Sequence, residues 1–501
     1  MSARVYTVPP GVAFLPALAR AILNGDLPLP SGARPDPLTL PDITLCLPTR
    51  RAVRAAQDAF LAASGARALL MPRIRPISDG EDDLTLLTRL ASPPAFGAAM
   101  LESPKPTPPL ERTLILMQLI QMWREKLGET EDTTITNTAA QAAGLAIELA
   151  SLMDEIDREG VAFEKIQDLV PDTYSQHWPK TVDFLKVVEQ FKSRGLTSDV
   201  ELRNALIRGE AERLAQHPPK SPYIIAGVTG SIPATVALMR SVLALPTGAI
   251  VLPALDLDSD DESWDAIAPS GAERPQHPEH PQFGLKRLLD QLGVARRDVR
   301  MLPGAVASTT TAKRNAFIRE AMRPSATTER WHAYTSSANP DKIKTALTGV
   351  SLIEAPSAHD EAEAVSLILR EAVETPGRTA ALVSPDRLLA RRVAIRLQAW
   401  GIRVDDSAGR PFSKTVPGTF LNLVAGAVVS DFAPADVMAL LKHPLCRLRM
   451  KAFDVRRFGR ALEIAAFRTP YLGRGTDGIA AALRKSDSDR LEKKRRHRAA
   501  E

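Results

Sequence analysis

Apolar and polar positions alternate in blocks along the chain, each short unbroken apolar run being followed by an amphipathic stretch. The run VYTV (5–8) enters a Pro9-Pro10-Gly11 turn and then an Ala/Leu-rich stretch to about Leu23. ITLCLP (43–48) precedes TRRAVRAAQDAFLAASG, where Val53, Ala56, Phe60 and Leu61 recur at helical spacing. PYIIAGVTGSIPATVALMRSVLALP (222–246) repeats the sequence of strand, Gly/Ser turn and helix, and GAIVLPAL follows it. Short buried strands alternating with helices predict an α/β fold with a parallel sheet.

The same pattern divides the chain. Residues 1–106 and 216–340 make a first α/β domain, interrupted at 107–215 by a helical insertion in which LERTLILMQLIQMWREKL and TAAQAAGLAIELASLMDEIDREG place apolar residues three and four apart. The polar, Pro-rich stretch 256–284 reads as a loop. A second α/β unit is predicted over 341–430, in VSLIEAPSAHDEAEAVSLILREAV and TAALVSPDRLLARRVAIRLQAWGIRVDDSAG; 431–501 is helical and ends in a charged run.

Length, 501 residues, calls for two to four folding units. The cysteines are two, Cys46 and Cys446, which fits a reducing cytoplasm and rules out a four-thiolate zinc or iron-sulfur site. No stretch is apolar enough for a membrane span. The net charge of +5 suggests an anionic partner, yet 484–501 holds eight basic against four acidic residues and supplies +4 of it, leaving the body nearly neutral.

Chemistry at the turns is sparse. A phosphate-binding loop needs a lysine and a hydroxyl after its glycines; here Val12, Ala13, Phe14 and Leu15 follow Gly11. No ATP hydrolysis is expected at that turn. In LPTRRAVRAA, Thr49 caps a helix whose first turns carry Arg50, Arg51 and Arg54, cations placed where the helix dipole disfavours them. A phosphate backbone would compensate; a solvated helix face is the alternative. GVTGSIPAT, with Thr229 and Ser231, is either an anion-binding turn or an ordinary tight crossover. Asp256, Asp258 and Asp260 open like a calcium loop, but Asp261 and Ile267 stand where glycine and glutamate are required. His277 and His280 lack cysteine neighbours, and Glu492-Lys493-Lys494 matches half a nuclease motif without the apolar strand that should carry it.

PPGVAFLPALARAIL, ITLCLPTRRAVRAAQDAFL, MPRIRPISD, MDEIDREG, IIAGVTGSIPAT, HPQFGLKRLLDQLGV, EAPSAHDEAEAVSLILREA and VSPDRLLARRVAIRLQAWGIRVDDSAGRP, in that order, resemble the AddB family of bacterial double-strand break repair proteins. The resemblance implies superfamily 1 helicase-like, RecA-type parallel-sheet domains with a degenerate motor. It further implies a cytoplasmic role in recombinational repair and an AddA-type helicase-nuclease partner that brings ATP and magnesium. Family members are about twice as long; the nuclease half and its iron-sulfur cysteines are not in this sequence, which reads as a fragment or a truncated gene product with no cofactor of its own. DNA-contact candidates are Thr49, Arg50, Arg51, Arg54, Arg73, Arg75, Thr229, Ser231, Arg387 and Arg391, with Arg392 beside them. The competing reading is a nucleotide-dependent enzyme using Gly227 to Thr235 as an atypical phosphate site.

Overall fold

The computed structural model describes residues 4–28, 34–66, 68–77, 106–127, 138–161, 198–230, 232–268, 276–337, 339–407, 409, 411–468, 473 and 475–500. The chain forms two units, Met1–Val350 and Ser351–Glu501.

Unit 1 is built on a six-stranded, all-parallel sheet. Its strands are β1 (Val5–Val8), β2 (Thr44–Leu47), β3 (Arg73–Pro76), β4 (Tyr223–Ala226), β5 (Gly248–Pro253) and β6 (Arg300–Met301), in spatial order β3-β2-β4-β5-β1-β6. Pairing runs Thr44↔Tyr223, Tyr223↔Gly248 and Val5↔Ile250, so the first strand lies inside the sheet between β5 and the short β6. The apolar runs carry this arrangement because both faces are covered. Tyr6, Leu45, Leu47, Ile224 and Val251 pack against α1 (Phe14–Asn24) and α2 (Arg50–Ser64). Val5, Cys46, Ile225, Ile250 and Leu252 pack on the opposite face against α5 (Asp199–Gln216), α6 (Pro233–Ala244), α7 (Asp261–Ile267) and α8 (Phe283–Leu292). Alternate residues of each strand thus feed two separate cores.

The helical insertion supplies α3 (Pro109–Leu127), α4 (Ala139–Glu159) and α5. Leu116, Leu119 and Ile120 close on Ala142, Ala146, Leu149 and Met153. The largely buried Arg112 donates to Asp154 at 2.6 Å, and Asn204 Nδ2 donates to the Asp157 carbonyl at 2.7 Å, tying the three helices in series. Residues 162–197 of the insertion lie outside the described residues. The predicted loop 256–284 differs from expectation: Asp260 caps α7, accepting from the Ser263 N–H at 2.9 Å, and Trp264 and Ile267 are drawn into the core. Two buried apolar residues on one helical face outweigh the polar composition around them. The remaining helices of this unit are α9 (Thr309–Ala321), α10 (Arg330–Ser337) and α11 (Pro340–Ala346).

Unit 2 departs further from the sequence reading. It contains α12 (Ala358–Glu374), α13 (Arg387–Ala399), α14 (Val416–Val429), α15 (Pro434–Lys442), α16 (Ala452–Leu462) and α17 (Gly475–Ala500), and no strand among the described residues. The helices predicted for its α/β pattern form and pack, with Ala362, Leu389, Val393 and Leu397 at their contact. The strands that an α/β unit requires do not: 351–355, 379–384 and 402–406 are irregular chain, with Leu352 86% and Val383 92% exposed. A strand needs a ladder partner as well as an apolar sequence, and none is present among the described residues.

Candidate nucleic-acid interface

Because every strand of unit 1 is parallel, the turns that follow them gather along one edge of the sheet. The turn after β2 contains Pro48 and Thr49, and Thr49 Oγ1 accepts the Ala52 N–H at 3.1 Å, starting α2 at Arg50 as its sequence predicts. Thr49, Arg50, Arg51 and Arg54 are all exposed. The turn after β4 lies beside it: a Cβ built on Gly227 would meet the Pro48 ring at 3.6 Å and Phe14 at 3.3 Å. Thr229 is exposed in this second turn; Ser231 lies outside the described residues. Gly230 is held at φ 66° with the Leu288 side chain against it, so a tight backbone approach accounts for that glycine.

Other candidates fall elsewhere. Arg73 starts β3, at the opposite edge of the sheet, and its Nε donates to the Pro41 carbonyl at 3.1 Å. Arg75, two residues on, is committed to the protein. Its Nη2 pairs with Glu210 at 2.5 Å and donates to the Tyr223 hydroxyl, and Nε approaches Cys46 Sγ at 3.4 Å. Arg213 adds a second cation to Glu210 at 2.8 Å. Burial pushes the Glu210 carboxyl upward, but the Arg213 hydrogen bond and the Arg75 and Arg213 charges outweigh it and hold its pKa at about 2. The Arg75 cation is therefore a component of an ion-pair network under α5. In unit 2, Arg387 grips Asp406 through two contacts of 3.3 Å, whereas Arg391 and Arg392 are exposed along α13.

The turn after β1 has α9 braced against one side, while Pro10 and Gly11 remain exposed. Gly11, at φ 78°, sits so close to α9 that an added Cβ would lie 2.5 Å from Thr311 Cγ2, and Asn315 Nδ2 donates to the Pro10 carbonyl at 3.0 Å. Beside this turn is a cavity of about 470 Å³ walled by Pro9, Leu255, Leu257, Trp264, Ile318 and Met322. Two of its arginines are matched by carboxylates, Arg319 binding Asp256 at 2.9 Å and Asp258 at 2.8 Å, and Arg323 binding Asp260 at 2.7 Å and Glu320 at 2.6 Å, while Arg314 donates to the Ala346 carbonyl at 2.9 Å. Burial raises the Asp260 pKa, and the Ser263 N–H and Arg323 more than reverse it, to about 2. His280 accepts the Gln282 N–H on Nδ1 and faces the Met322 carbonyl with Nε2 at 2.9 Å, which places its proton on Nε2; burial lowers its pKa and keeps the ring neutral. The D-x-D-x-D segment thus receives arginines spaced i,i+4. That complementary spacing was the sequence signal for the clasp; the sequence alone does not reveal it because the paired residues are 61 to 63 positions apart.

Among the described residues no cluster of His, Cys, Asp or Glu is arranged to hold a metal, and no helix is long and apolar enough to cross a membrane. Comparison with protein-family models and with curated proteins gave no match.

Proposed function

We propose that the chain is a non-catalytic DNA-binding module, a RecA-type helicase-like half of an AddB-type subunit that acts with an AddA-type helicase-nuclease in double-strand break repair. One observation carries the reading: along the edge where nucleotide-binding folds place their phosphates, the first turn offers neither lysine nor hydroxyl and has α9 braced against it, while the Thr49-Arg50-Arg51 turn presents exposed cations. Cations at a helix start gain from a neighbouring phosphate backbone what the helix dipole denies them. Thr229, exposed in the adjacent turn, would hydrogen-bond the same strand. Near that first turn, Arg319 and Arg323 are engaged by three aspartates, which leaves them less available to a phosphate.

Replacing Arg50 and Arg51 together by alanine tests this. Affinity for duplex DNA should fall alike for all sequences, and the slope of log affinity against log salt should flatten by roughly one to two units, at about 0.9 per phosphate. A lowered melting temperature with an unchanged salt slope would instead assign both arginines to ion pairs within the fold.

A further inference from the structure

The near-neutral body of the chain conceals a strongly basic segment. From Lys442 to Arg460 there are seven Lys and Arg residues against the single Asp454, a local charge of +6. Lys442 pairs with Glu463 at 3.6 Å and Arg457 with Asp454 at 3.8 Å. Arg447, Arg449, Lys451, Arg456 and Arg460 are exposed, and no carboxylate pairs with them among the described residues. The segment also displays aromatic rings: Phe453 is 73% exposed and Phe458 51%, the latter with the Arg457 guanidinium 5.1 Å from its centroid.

Backbone geometry fixes this display. Leu448 and Arg449, in the loop between α15 and α16, are consecutive non-glycine residues in the left-handed region, at φ 42° and 61°. Such residues are strained and cluster where a surface has a task. On α16 the apolar stripe is already used, since Val455 and Gly459 are buried and Gly459 lies against Leu441 of α15. The outward face reads Phe453, Arg456, Arg457, Arg460 at spacing i, i+3, i+4, i+7, so ring and cations share one side. A helix that lies on a bilayer keeps its apolar and basic faces apart and its apolar face free. Cations interleaved with exposed rings instead fit a polyanion that also presents flat apolar faces.

We infer that the α15–α16 segment binds single-stranded nucleic acid, its arginines tracking the phosphates and Phe453 stacking on a base. This surface belongs to unit 2 and stands whether or not the Thr49 turn touches DNA.

The test uses the full chain and a fluorescently labelled oligothymidylate, titrated by anisotropy over a range of salt concentrations. Arg449→Ala with Arg456→Ala should flatten the salt slope by about 1.4, at about 0.7 per single-strand phosphate. Phe453→Ala should weaken binding roughly 5- to 150-fold and leave the slope unchanged, the effect of losing one stacked base. Thermal melts of both variants should match the parent, because the replaced side chains are exposed. The inference is overturned if the double variant keeps the parent slope and affinity, or if Phe453→Ala has no effect and a duplex of equal length binds as tightly as the single strand. It is equally overturned if the variants lose binding to phosphatidylserine-containing vesicles while still holding the oligonucleotide. Loss of slope in Arg50→Ala/Arg51→Ala alone, with this segment's variants unaffected, would leave the proposed function standing and remove only this site.

Discussion

Arg75 shows how a side chain that reads as a surface cation can be a structural one. It lies on a short strand at the edge of the sheet, and only the fold brings Glu210 to it, 135 residues further along the chain. With both Arg75 and Arg213 on one carboxylate, Glu210 holds its proton less tightly in the folded protein than a free glutamate does, about 2 against about 4.3. The stabilisation is therefore complete above the unfolded value and fades as pH falls from about 4.5 toward 2. Glu210→Gln should destabilise unit 1 by about 3 kcal/mol at neutral pH, since it strands two guanidinium groups beside a buried tyrosine. Urea melts of parent and variant should converge as the buffer is taken below pH 4. A gap that stays constant with pH would show that the carboxylate charge contributes nothing. The place of Arg50 and Arg51 at a helix start was legible because a helix cap is local; the role of Arg75 was not, because its partner is remote.

At the scale of elements, α9 and the first turn are interlocked. Gly11 needs both its left-handed φ and the space that Thr311 leaves. Gly11→Ala should cost roughly 1–3 kcal/mol through strained φ and overpacking. Adding Thr311→Ala should recover the packing part only, giving a coupling on the order of 1 kcal/mol in a thermal-melt double-mutant cycle. Additive effects would mean that α9 does not rest on the turn. Strands β1, β2, β4 and β5 and helices α1, α2 and α6 were legible in the sequence, since four-residue apolar runs with both faces buried allow few alternatives. Helix α7 was hidden by its acidic composition. The α/β character expected of unit 2 was over-read: SLIEA and ALVS have strand chemistry but no neighbour to bond among the described residues.

For the whole molecule, net charge is a poor guide to where an anion would bind. The basic tail carries most of the excess, the α15–α16 segment carries +6 of its own, and the ion pairs around Arg75, Arg319 and Arg323 consume cations internally. The first turn, without a lysine, predicts phosphate release from magnesium-ATP at background level, with or without DNA. Turnover that co-purifies with the chain and disappears in Gly230→Ala would assign nucleotide chemistry to the second glycine turn and refute the non-catalytic reading.

By itself the sequence determined what depends on neighbours in the chain: the α/β alternation of unit 1, the helical insertion, the Thr49 cap and the missing phosphate-loop lysine. These follow from backbone sterics, burial periodicity and the chemistry of adjacent side chains. Tertiary structure decided everything that depends on distance along the chain. It set the order β3-β2-β4-β5-β1-β6, turned Asp256, Asp258 and Asp260 into partners of Arg319 and Arg323, and braced α9 against the first turn. A residue's type fixes which bonds it can make; the fold alone fixes which partner arrives, and so whether a cation is spent inside the protein or offered to a ligand.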